Sequence, residues 1–83
     1  MKENPDNEVV YFYLGFTHGG LGQYDEALNA YTNAIKYGKD NKELLPDVYF
    51  YRAGIYSAQR RYTESISDYT SAISYDKKMT GIL

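Results

Sequence analysis

The chain contains no cysteine and no tryptophan, two prolines and a single histidine. Without cysteine there is no disulfide framework, no thiolate zinc site and no cysteine nucleophile. The lone histidine, His18, leaves no second imidazole to complete a metal site or a catalytic triad. No apolar run approaches the ~18 residues of a membrane span, and residues 1–7 lack the apolar stretch of a secretory signal. An excess of either sign of charge is also lacking. Nine basic and 11 acidic residues leave a formal net charge of -2, which supplies no electrostatic pull toward nucleic acid or an anionic membrane. The expectation is a cytoplasmic, non-enzymatic protein without cofactor or metal, whose residues 1–7 are disordered.

What is present is tyrosine, 11 of them in 83 residues, within a composition that is 43% hydrophobic and 24% charged. That composition is globular, and the length suits one small domain over residues 1–83. Tyrosine offers a large contact area with a polar tip, so its abundance points either to a binding surface or to a repeat with aromatic packing positions. A repeat is there. Shifted by 38 residues, Val10-Tyr11-Phe12-Tyr13 returns as Val48-Tyr49-Phe50-Tyr51. Tyr24, Glu26, Tyr31, Thr32, Ala34, Ile35, Tyr37 and Lys39 return as Tyr62, Glu64, Tyr69, Thr70, Ala72, Ile73, Tyr75 and Lys77. Chance alignment of 30 positions yields roughly two identities, so these 12 mark an internal repeat, with units at about 8–41 and 46–79.

Each unit carries two stretches of helical periodicity. Val10, Tyr11, Leu14, His18 and Leu21 recur as one helix face, and Tyr24, Ala27, Leu28, Tyr31, Ala34 and Ile35 as another. Helices are predicted at 8–20, 24–38, 46–59 and 62–76. Asn7 is placed as an N-cap and Pro46 in a first turn, where its missing N–H costs nothing. Gly19, Gly20 and Gly22 punctuate the first turn, and Gly38 is expected to close the second helix in a left-handed conformation.

The pattern Tyr11-x-x-Leu14-Gly15-x-x-His18, then Tyr24, then Ala27-x-x-x-Tyr31-x-x-Ala34, resembles the tetratricopeptide repeat signature. The second unit offers Tyr49-x-x-Arg52-Ala53-x-x-Tyr56, Tyr62 and Ser65-x-x-x-Tyr69-x-x-Ala72. The spacing is 38 rather than the usual 34, and Lys39 and Lys77 stand where such repeats often place proline; a Sel1-like repeat is the nearest alternative. The resemblance implies an all-α fold of two stacked antiparallel helical hairpins, an α-solenoid whose role is to bind another protein.

Packing gives the small residues a reason. Gly15 or Ala53 on the first helix of a hairpin faces Ala27 or Ser65 on the second, allowing the axes to approach to the usual ~8–10 Å. Leu14 and Ala30 of the first unit become Arg52 and Asp68 in the second. An arginine alone at a helix interface would be costly to bury, so Arg52 and Asp68 are predicted to form a structural ion pair. His18 aligns with Tyr56 and reads as a packing residue. Asp25 and Glu26 begin a helix, where its dipole favours negative charge. Arg60-Arg61 and Lys77-Lys78 read as solvated pairs.

Stacked hairpins curve, and the first helix of each lines the concave side. The face of that helix turned away from its own hairpin carries Val9, Phe12, Tyr13, Phe16 and Gly20, and in the second unit Asp47, Phe50, Tyr51, Gly54 and Ala58. Hairpin packing requires no large aromatics there, and an apolar strip of this kind marks an interaction site. Val9, Phe12, Tyr13, Phe16, Phe50 and Tyr51 are the candidate partner-binding residues, more exposed by expectation than Leu14, Leu28 or Ile73. In the chaperone-binding members of the family, asparagine and basic residues on these faces hold a C-terminal carboxylate. This chain has neither there, so a hydrophobic segment or amphipathic helix is the expected partner rather than a chaperone tail. The alternative is a structural unit whose strip is buried in a homo-oligomer or by neighbouring repeats.

Overall fold

Four helical stretches separated by short connections leave the chain one economical arrangement: each helix folds back on its predecessor and buries apolar side chains against it. The computed structural model describes residues 7–75. Its helices are α1 (Glu8–Gly20), α2 (Tyr24–Tyr37), α3 (Leu45–Ala58) and α4 (Tyr62–Tyr75), and no strand occurs among the described residues. α1 pairs with α2 and α3 with α4 as two hairpins, and α3 also packs on α2. The fold is all-α and solenoid-like. The disorder expected of residues 1–7 concerns, apart from Asn7, residues outside those described, as does the end of the second unit at 76–79.

Local chemistry sets the boundaries. The Asn7 side chain accepts a hydrogen bond from the Val9 N–H at 2.8 Å and caps α1. Pro46 lies in the first turn of α3. Gly38 is a correction to the expected left-handed cap, since its φ is −109°. Glycine is needed there for space: a Cβ would lie 2.7 Å from the Ala34 carbonyl oxygen and 2.9 Å from the Glu8 Cβ. The left-handed residues are instead Gly22 (φ 78°) and its repeat partner Arg60 (φ 62°). One backbone turn therefore joins both hairpins, and in the second an arginine bears a cost of about 1 kcal/mol that glycine avoids. Of the three glycines expected in the first turn, Gly19 and Gly20 end α1 and Gly22 alone shapes the turn.

The extra length between the units is anchored. The Asn41 amide donates to Glu8 at 3.0 Å, and its carbonyl oxygen accepts from the Leu44 N–H at 3.1 Å. That first bond, with a smaller contribution from Glu8's own backbone, holds the Glu8 carboxyl below its ordinary range.

The core sits where α1, α2 and α3 meet: Ala27, Tyr31, Ala34, Val48 and Ile55, with Tyr11, Phe12, Leu28 and Ile35 leaning on it. A Cβ on Gly15 would lie 2.6 Å from two Tyr31 ring atoms, so the tyrosine ring occupies the space this glycine leaves. In the second hairpin Ser65 donates to the Ala53 carbonyl at 3.0 Å, a polar version of the same close approach. Aromatic pairs repeat with the sequence. Tyr11 stacks on Tyr37 at 5.6 Å and Tyr49 on Tyr75 at 5.8 Å.

Burial, with a smaller contribution from Tyr51, pushes the Tyr31 phenol up to about 12. A raised phenol stabilises the fold fully below the unfolded value near ~10 and loses that contribution as pH climbs toward about 12. Tyr31→Phe, which cannot ionise, should therefore keep its helicity to higher pH than the wild type in an alkaline titration followed by circular dichroism. Superimposed curves would show that Tyr31 ionisation does not drive alkaline unfolding.

Candidate functional site

α1 and α3 lie side by side, and the aromatic side chains on their open faces form a connected set. Phe16 meets Tyr51 edge-on at 5.6 Å between ring centroids, Phe12 meets Tyr51 at 5.7 Å and Tyr13 at 5.6 Å, and Phe50 meets Tyr51 at 5.4 Å. Phe12 and Phe50 each reach inward to the buried side of their hairpin, Phe12 to Tyr31 at 6.0 Å and Phe50 to Tyr69 at 5.6 Å.

Exposure divides these residues into two groups. Tyr13 (61%), Phe16 (54%) and Tyr51 (39%) are open, as is Val9, whereas Phe12 and Phe50 are half-buried. The expected order of exposure therefore needs correction: Leu14 is 44% exposed and less covered than either phenylalanine. Phe12 and Phe50 form the floor of the strip, and Phe16, Tyr13 and Tyr51 its outer surface.

Beside Phe16 and Tyr51 the strip has a hollow. A cavity of about 240 Å³ opens between α1 and α3, lined by Phe16, Gly19, Gly20, Tyr31, Tyr51, Gly54 and Ile55. Its cause is legible in the repeat, where Phe16 of the first unit corresponds to Gly54 of the second. A ring projects on one side and no side chain on the other. A Cβ on Gly54 or Gly20 would meet nothing within 4 Å. The hollow is smaller than the ~300–1,000 Å³ of small-molecule sites and suits one apolar side chain. A larger recess of about 590 Å³ lies among Glu8, Lys36, Tyr37, Gly38, Lys39, Asp40 and Asn41. It has charges of both signs around an open loop and belongs to the connection anchored by Asn41.

Arg52 and Asp68 meet on the hairpin seam in a bidentate pair, with Nε to Oδ2 at 2.7 Å and Nη2 to Oδ1 at 2.9 Å. The side chains are 17% and 6% exposed. Burial opposes the charge of Arg52, but the hydrogen bonds and charge of Asp68 outweigh it and hold the guanidinium above its ordinary value. Arg52 does more than its sequence position foretold. Its Nη1 donates to Thr32 Oγ1 of α2 at 3.1 Å, so one side chain joins the second hairpin to the first. Tyr49 and Tyr56 flank it at 5.6 and 5.7 Å.

His18 bonds Gln23 across the first turn, Nδ1 to Oε1 at 2.6 Å. Among the described residues no group of three histidines or carboxylates is gathered as a metal site would require, and no helix is long and apolar enough to cross a membrane. Models of one family, described as tetratricopeptide repeat, match residues 9–41 and 46–79. No curated protein matches the chain.

Proposed function

Because the chain belongs to the tetratricopeptide repeat family, whose repeats generally mediate protein–protein interaction, we propose that it binds an apolar peptide segment or amphipathic helix across α1 and α3. The observation that carries this reading is the hollow between Phe16 and Tyr51, apolar in its lining and open where Gly20 and Gly54 lack side chains. An anchor side chain of the partner enters it, and Tyr13, Phe16 and Tyr51 supply the surrounding contact area. Buried anchors in fitted pockets carry most of the energy of such complexes, and an amphipathic helix presents them at three- and four-residue spacing. No asparagine and no cation lines the hollow, so a terminal carboxylate finds nothing there to pair with. The family's repeats are typically non-enzymatic, and this reading assigns the chain no reaction.

Panning a random peptide library on the wild-type chain and on Gly54→Leu tests the reading. A Cβ at position 54 meets nothing within 4 Å, so leucine there has room to grow into the hollow, and in an exposed helix interior it is a better helix former than glycine by roughly 0.8–1 kcal/mol. The expected result is enrichment on the wild type of peptides with apolar residues three or four apart, absent on Gly54→Leu. Peptides that bind both proteins equally would place recognition elsewhere.

A further inference from the structure

The repeat supplies a second, independent surface. Inside the chain α3 covers α2, with Val48 and Ile55 in the core cluster and Leu28, Ile35 and Tyr24 packed against it. One period away, most of the corresponding residues stand uncovered, while Ile73, in place of Ile35, is half-buried. On α4, Tyr62 takes the place of Tyr24 and is 59% exposed, and Ile66 takes that of Leu28 and is 66% exposed. On α1, Val10 replaces Val48 and Leu14 replaces Arg52, with exposures of 41% and 44%, and just past its end Leu21 replaces Gln59 and is 68% exposed. Each end of the molecule thus carries half of an interface whose complete form is present in the middle.

We propose that a second copy of this chain covers these stripes head to tail, α1 of one copy packing on α4 of the next as α3 packs on α2. The matching extends to the polar positions. Arg52 at the internal junction is balanced by Asp68, whereas Leu14 is apolar and has Ala30 beside it, so the external junction strands no charge. Thr17 in place of Ile55 and Asp6 in place of Leu44 are polar exchanges in the sequence of the stripe. Nearest-neighbour stacking is how repeat proteins extend their cores, and a contact between unlike faces propagates into a ring or an open filament rather than stopping at a symmetric pair. The hollow between Phe16 and Tyr51 is lined by no residue of these stripes, so this association leaves it free.

Sedimentation velocity of the full chain, alone and mixed, tests the contact. Leu14→Asp disables the α1 face and Ile66→Asp the α4 face, both at exposed positions. The wild type is expected to gain mass with concentration, and each variant to stay at the 9.6 kDa of one chain. An equimolar mixture retains one good face of each kind and should reach twice that mass and no more. Val10→Asp and Tyr62→Asp repeat the test further along the same stripes, so the outcome does not hang on the folding of one variant, checked by circular dichroism. A wild type that stays monomeric at every concentration overturns the proposal. So does a mixture that fails to pair, or a single variant that still oligomerises.

Discussion

Arg52→Leu is expected to cost about 3–5 kcal/mol, because it leaves the Asp68 carboxylate buried without its partner. Whole-domain stability at this length is roughly 4–12 kcal/mol, so the variant approaches the edge of folding. The comparison that gives this meaning is internal to the protein. Adding Asp68→Ala to Arg52→Leu reproduces the Leu14 and Ala30 pairing of the first hairpin, and the double variant should recover most of the loss. Urea midpoints of the two single variants and the double one complete the cycle. Simple addition of the two single effects would mean that the groups are not coupled in solution. Thr32→Ala removes only one bond to Arg52 and should cost about 1 kcal/mol. That separates the guanidinium's role between hairpins from its role within one.

The second large effect is on binding. Phe16→Ser with Tyr51→Ser should weaken capture of a library-selected peptide by about a hundredfold or more, since fully burying one large apolar side chain contributes roughly 1.5–3 kcal/mol. The melting temperature should fall less than on truncating Phe12 and Phe50, because Phe16 and Tyr51 are 54% and 39% exposed in the free chain while both phenylalanines are half-buried. Phe12 and Phe50 are poorer choices for this test. Both lean on the inner tyrosines Tyr31 and Tyr69, so truncating them mixes lost contact with lost packing. Fluorescence anisotropy of the labelled peptide, read beside a thermal melt, resolves the outcome. Undiminished affinity would remove the groove from the mechanism. Unfolding of the double variant would assign both rings to the core.

The helices, their pairing and the family were legible in the sequence, because each depends on short-range periodicity. Apolar spacing, the Asn7 cap and Pro46 act within a turn or two of the chain, and the 38-residue repeat is read by laying one copy on the other. Arg52 and Asp68 were legible as a pair because opposite charges replace Leu14 and Ala30 together on one hairpin seam. Three features needed the tertiary structure. The bond from Arg52 to Thr32 crosses between hairpins, and no periodicity within one hairpin reports on its neighbour's distance. The division of the strip into a half-buried floor of Phe12 and Phe50 and an open rim of Phe16, Tyr13 and Tyr51 depends on how far α1 and α3 stand apart. Tyr31 of α2 and Ile55 of α3 line the hollow between the two helices and belong to the core beneath it. Gly38 read as a conformational cap, but its φ is ordinary, and crowding by Ala34 and the distant Glu8 is what requires a residue without a side chain. A sequence states which residues share a face; only the packed chain decides what that face meets, because contact between elements depends on the volumes of all the side chains between them.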